Sequence, residues 1–96
     1  MIQIRDVFQA KYGRGDELVA LFKEAEPLLT KRGMGARRIL TDASGSFFTV
    51  VTESEAENLV AYEESLKVFA DPEFGPWFQR MMDVVESGSR EFYTIQ

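Results

Sequence analysis

The sequence predicts an α+β domain, a four-stranded antiparallel sheet carrying helices on one face, with its elements in the order β-α-β-β-α-β. Three observations point there. Short runs rich in β-branched and aromatic residues stand at both ends of the chain and in its middle. Between them lie segments with apolar residues at spacings of three and four, the period of an amphipathic helix. The two middle runs flank a short Gly-bearing turn, as a hairpin requires.

Residues 2–12 read as the first strand. Ile2, Ile4, Phe8 and Ala10 fall on one side, Gln3, Arg5, Val7 and Gln9 on the other. Tyr12-Gly13-Arg14-Gly15 is a turn, and Asp16 is placed to cap the helix that follows. Leu18, Leu21, Phe22, Ala25, Leu28 and Leu29 form the apolar stripe of that helix. Pro27 removes the hydrogen bond to the Lys23 carbonyl and predicts a kink, and Gly33 and Gly35 predict the stop.

Residues 36–43 and 46–53, either side of Ser44-Gly45, read as the hairpin. Ser54 and Glu57 have the spacing of a capping box, with Glu53, Glu55 and Glu57 complementing the dipole of a second helix. Leu59, Tyr62, Leu66, Phe69 and Ala70 then share one face. Asp71-Pro72 and Pro76 interrupt this helix, predicting a turn over 71–75 and a fresh helix from Pro76 that carries Trp77, Phe78, Met81, Met82 and Val85 on one side. Ser87-Gly88-Ser89 reads as its end, and Arg90 to Gln96 as the last strand.

With right-handed crossovers this order gives a ferredoxin-like sheet, and residues 1–96 read as a single such domain. One sheet face is left over. Val7, Ile39, Phe48, Val50, Tyr93 and Ile95 are the apolar groups expected on it, and an exposed face that apolar calls for a partner. A 96-residue chain buries a modest core, so pairing with a second copy of itself is the natural way to cover it.

Composition narrows the function. Sixteen acidic against eleven basic residues leave a net charge of −5, which argues against nucleic acid and anionic membranes as partners. There is no Cys and no His, which removes thiolate and zinc-thiolate chemistry, the usual haem ligand and the commonest general base. No metal or cofactor is expected, since no Gly-rich phosphate loop or calcium-loop spacing is present either. The first residues lack the pattern of a signal peptide, and no apolar stretch approaches the ~18 residues of a membrane span, so a cytoplasmic location is expected.

The order of elements, together with Asp71-Pro72-Glu73-Phe74 and Trp77 opening the last helix, resembles the dimeric α+β barrel superfamily. Within it the chain is most similar to the NIPSNAP family and more loosely to the antibiotic-biosynthesis monooxygenases. The likeness extends over nearly the whole chain, strongest from Ile4 to Leu29 and at Asp71-Pro72-Glu73-Phe74. It implies a homodimer with a pocket between the sheet and helices of each subunit. Some members of the superfamily oxidise aromatic polyketides without a cofactor; others use a His-ligated haem, which a chain without His does not match.

Phe74, Trp77, Phe78, Met81 and Met82 are candidates to line a pocket for an apolar or aromatic small molecule, although the same stripe also serves as ordinary core. Arg5, Arg38, Tyr62 and Tyr93 are the polar groups expected to reach it, where a Tyr beside an Arg would hold a phenolate or enolate. The plainer explanation is that these Arg residues pair with Asp6, Asp42 or Glu91. Arg14-Gly15-Asp16 spells an adhesion tripeptide but is better explained as a turn and helix cap. Gly45 to Val51 faintly echoes an RNA-binding strand without its basic residue. The functional reading is a homodimer binding an apolar or aromatic metabolite, with a cofactor-free oxygenase or isomerase as its chemistry. The alternative is a non-catalytic dimer that acts by association or ligand sensing.

Overall fold

Alternation along the first strand decides which side of the sheet the helices cover. The computed structural model describes residues 1–31 and 37–96. It runs β1 (Ile2–Ala10), α1 (Gly15–Lys31), β2 (Arg38–Thr41), β3 (Thr49–Ala56), α2 (Leu59–Ser65), a 3₁₀ turn (Leu66–Ala70), α3 (Phe74–Val84) and β4 (Val85–Thr94). The strands lie in the order β2-β3-β1-β4 with every pairing antiparallel, which is the ferredoxin-like arrangement. Ala10 of β1 and Val50 of β3 pack in one cluster with Leu18, Leu21, Phe22, Ala25 and Leu29 of α1 and with Phe74, Trp77, Met81 and Val84 of α3, and Ile4 is buried on the same side of β1. Each Leu, Val, Ile, Phe or Met side chain among them contributes about 1.5–3 kcal/mol on full burial.

α1 starts slightly earlier than its acidic residues suggest. The Leu18 N–H donates to the Arg14 carbonyl at 3.1 Å, so Asp16 lies in the first turn, where it complements the dipole, and does not cap. The Arg14 guanidinium bonds Glu17 at 2.9 Å and the Asp83 carbonyl at 2.9 Å. Gly15 is buried against Phe48, so the Arg14-Gly15-Asp16 tripeptide is part of the helix start. The stop expected at Gly33 and Gly35 lies outside the described residues, as does Ala36 at the head of the expected hairpin.

The hairpin connection spans 42–48, longer than the two-residue turn expected, so both strands end short of Ser44-Gly45. Phe47 and Phe48 belong to the loop. Phe48 has φ +60, a conformation costly for a side chain with a Cβ, and is held there by edge contact with the Tyr12 ring at 4.9 Å. The aromatic pair therefore does not lie on the strand, as an RNA-binding surface would need.

Three further expectations are corrected. β3 continues to Ala56, so Ser54 and Glu57 form no capping box; Asn58 caps α2, its side chain accepting from the Ala61 N–H at 2.8 Å. α3 begins at Phe74 because Pro76 sits among the first residues of a helix, whose N–H groups have no intrahelical partner to lose. β4 begins at Val85 directly after the helix, so Ser87-Gly88-Ser89 lies inside the strand, with Gly88 opposite Phe8. A Cβ at Gly88 would stand 3.2 Å from the Phe8 ring, a close approach that suits glycine.

Register also sorts the residues expected on the uncovered face. Val7 lies there, opposite Val51, with Leu40 beside them. Ile39 does not: it is opposite Thr52 and packs against the core under the helices. Phe48 packs on the same core, and Val50 is 0% exposed within it. Ile95 lies past the end of β4 and is exposed. No helix among the described residues is long and apolar enough to cross a membrane.

Candidate functional site

Between the helix-covered face of the sheet and the segment from α2 to α3 lies a cavity of about 450 Å³. Its apolar wall is built by the faces that fold the domain. α3 presents Phe74, Trp77, Phe78 and Met81, the 3₁₀ turn adds Val68 and Phe69, and the sheet supplies Ile4 and Phe8. The rings interlock: Phe74 and Trp77 centroids are 5.2 Å apart, Phe22 and Trp77 6.0 Å, and Phe69 meets Phe74 edge-on at 4.7 Å. Trp77 is fixed further by its indole N–H, which donates to the Leu21 carbonyl at 2.7 Å and ties α3 to α1. α2 closes the other side with Ala61, Tyr62 and Ser65, although none of its residues is buried.

One corner of the cavity is polar. Asp6 occupies the helix-facing phase of β1 and is only 4% exposed. Burying a carboxylate this deeply requires a partner. Arg90, its register partner on β4, provides one through two hydrogen bonds, from Nε to Oδ1 at 2.6 Å and from Nη2 to Oδ2 at 3.2 Å. The third donor of the guanidinium, Nη1, bonds the Tyr62 hydroxyl, and its carbon lies 5.6 Å from the centre of the Tyr62 ring. Tyr62 rests edge-on against Phe92 at 5.1 Å. The hydrogen bond to Asp6 holds the Arg90 guanidinium above its ordinary pKa, burial opposing it only in part.

Arg37, immediately before β2, also lines the cavity. Its backbone N–H donates to Glu26 Oε1 of α1 at 3.3 Å. Burial pushes this guanidinium below its ordinary value, outweighing the attraction of Asp6 and Glu26. It stays a cation nonetheless, since an arginine does not deprotonate in a protein.

The structure brings Tyr62, Phe74, Trp77, Phe78 and Met81 together around this cavity and leaves the other sequence candidates elsewhere. Met82 is exposed and outside it. Arg5, Arg38 and Tyr93 lie on the opposite, uncovered face of the sheet. There the row Glu91, Arg5, Glu53, Arg38 crosses all four strands with alternating charge, at 4.0, 3.9 and 3.8 Å. Tyr93 bonds Glu91 on the same side. Of the polar groups in this corner, Tyr62 is the one the sequence points to; Asp6, Arg37 and Arg90 join it there without being expected. Asp6 carries a readable signal, a charge in the apolar phase between Ile4 and Phe8; Arg90 becomes visible only through register, and Arg37, which precedes β2, has no local signal.

Comparison with known proteins agrees with the fold. No family model matches the sequence, and no curated protein matches it. Solved structures do. An uncharacterised NIPSNAP domain protein from Burkholderia xenovorans aligns with TM-score 0.89 at 16% identity, over 100% of this chain and 95% of the other. A NIPSNAP family protein from Agrobacterium tumefaciens aligns with TM-score 0.83 at 17% identity, over 99% and 92%. SnoaB, a cofactor-independent oxygenase from Streptomyces nogalater, aligns with TM-score 0.75 at 14% identity, over 99% and 92%. The resemblance drawn from the sequence to NIPSNAP proteins and to this kind of oxygenase is therefore present in three dimensions. At these identities it is a likeness of fold.

Proposed function

We propose that this chain is a homodimeric small-molecule protein that takes an apolar or aromatic ligand in the sheet–helix cavity. The observation that carries the reading is the cavity itself, whose aromatic wall and single polar corner sit within the roughly 300–1,000 Å³ of small-molecule sites. The chemistry the corner suits is cofactor-independent oxygenation or isomerisation. Paired donors of the Tyr62–Arg90 kind stabilise the enolate or phenolate oxygen that such reactions develop. The fold shared with a cofactor-independent oxygenase is consistent with that chemistry.

The dimer is supported by the uncovered sheet face. An alternating row of charges is self-complementary when a second copy lies against it in reverse, as a two-fold axis perpendicular to the row places it. Glu91 would then face the second copy's Arg38, and Arg5 its Glu53. Arg5 Nε has no hydrogen-bond partner among the described residues, Glu91 Oε1 standing 4.0 Å away, so the row is not closed on itself. Val7, Val51 and Leu40 run beside it as an apolar row.

A second reading, association or ligand sensing without catalysis, is favoured by one observation. Both oxygens of Asp6 accept hydrogen bonds from Arg90, so this buried carboxylate is occupied in an ion pair and offers no free oxygen to a bound molecule. Native mass spectrometry, stepped from gentle to denaturing conditions, tests the proposal. A dimer that carries or takes up an aromatic ligand supports it. A monomer removes the dimer, and a dimer that ignores a panel of flat apolar ligands removes the pocket. Oxygen uptake with an electron-rich enolisable phenol then separates the catalytic reading from the sensing one.

A further inference from the structure

A purely apolar ligand would leave one group in the cavity unanswered. Arg37 Nε is buried and has no hydrogen-bond acceptor among the described residues. The charged groups around it do not supply one. Asp6 is engaged by Arg90 through both oxygens, and among the described residues Glu26 bonds the backbone N–H of Arg37 and not its side chain. Glu55 and Glu57 line the cavity but are exposed, where solvent screens them. The polar corner thus holds two guanidinium groups against one buried carboxylate. The two cations also behave differently: Arg90 is stabilised by its partner, while the neighbours of Arg37 fail to offset its burial.

We propose that the cavity takes an amphipathic monoanion, its flat apolar body against the wall around Trp77 and its acidic oxygen, a carboxylate, phenolate or enolate, on the Arg37 guanidinium. The proposal rests on the small-molecule reading of the cavity and names the class of ligand. The guanidinium fork matches a planar oxyanion in two places, and a charge-assisted hydrogen bond formed in an apolar cavity is stronger than one formed in water. Trp77 wall and Arg37 line the same cavity, so one molecule can reach both.

The test uses naphthalene-2-carboxylate and its neutral isostere naphthalene-2-carboxamide. Each is titrated into the whole protein while the fluorescence of Trp77, the only tryptophan, is followed. The carboxylate is expected to bind about tenfold or more tighter than the amide, the scale of a hydrogen bond to a charged group. Arg37→Gln is expected to erase that preference and leave the amide's affinity in place. Equal or tighter binding of the amide to the unaltered protein would overturn the anion assignment while leaving a small-molecule pocket standing. Failure of both probes to bind would overturn the pocket itself. A preference that survives Arg37→Gln in a folded variant would overturn Arg37 as the anchor. The comparison of the two probes needs no variant, so a folding defect leaves the first outcome readable.

Discussion

Replacing Arg90 with Met separates the structural role of the polar corner from any role in binding. Removing one partner of a fully buried ion pair costs about 3–5 kcal/mol, because the other charge stays behind unpaired. Here the burial is one-sided: Asp6 is 4% exposed, whereas the Arg90 side chain is 41% exposed. Water around the Arg90 end reduces the loss, and Arg37 offsets part of the stranded charge without bonding it, so about 2–3 kcal/mol is expected. For a domain of this size that lowers the melting temperature by roughly 8–20 °C. The opposite change, Asp6→Leu, strands a cation that solvent and Tyr62 can still reach, and should cost only about 1 kcal/mol. The double variant leaves no stranded charge and should recover about 1–3 kcal/mol relative to the sum of the singles. Urea unfolding of the three variants, followed by circular dichroism, measures all of this. Equal costs for the two singles, or additivity within about 0.5 kcal/mol, would refute the asymmetric buried pair.

Other outcomes can be checked alongside. Phe48→Gly should be less destabilising than Phe48→Ala by about 0.5–1 kcal/mol, because φ +60 favours glycine and both variants lose the ring; the reverse order in urea would count against a strained Phe48. Trp77→Phe should lose about 1–2 kcal/mol through the missing bond to the Leu21 carbonyl and the smaller ring, and an unchanged midpoint would count against that tie between α3 and α1. Val7→Asp should leave the fold intact but dissociate the proposed dimer in sedimentation, since it puts a charge in the apolar row of the uncovered face. Val50→Asp should unfold the protein instead, since that side chain is wholly buried in the core; a folded Val50→Asp monomer would show that the two faces have been assigned the wrong way round.

The order of elements was legible because it depends on local periodicity, and the α3 wall of the cavity was legible for the same reason. Trp77 and Met81 are four apart, so any helix that buries one buries the other. What failed was phase across connections. The hairpin reads around Ser44-Gly45, but the loop runs from 42 to 48 and takes Phe48 out of the strand; Ile39 and Val50 share a face in either register, and the pairing of β3 with β1 is what sets them under the helices. In β4, Ser87-Gly88-Ser89 has the composition of a break, yet it pairs with Gln9, Phe8 and Val7 as an edge strand. Small residues there accommodate the Phe8 ring, and nothing local distinguishes that use from a turn.

The polar corner shows how far a single sequence reaches. Ile2, Ile4, Phe8 and Ala10 share a phase on β1, and Asp6 is the one position that interrupts them. A charge in the buried phase of a strand either ends the strand or demands a cation, and here the strand continues for four more residues. So the existence of a partner follows from the alternation alone. Its identity does not, because Arg90 stands 84 residues away and meets Asp6 only through the pairing of β1 with β4. The same register that brings Arg90 inward turns Arg5, on the neighbouring position of β1, outward into the charged row. One strand thereby supplies the cavity's anion with one side and the proposed dimer face with the other. The two functions are coupled through the position of β1, and a slip of one residue would exchange them.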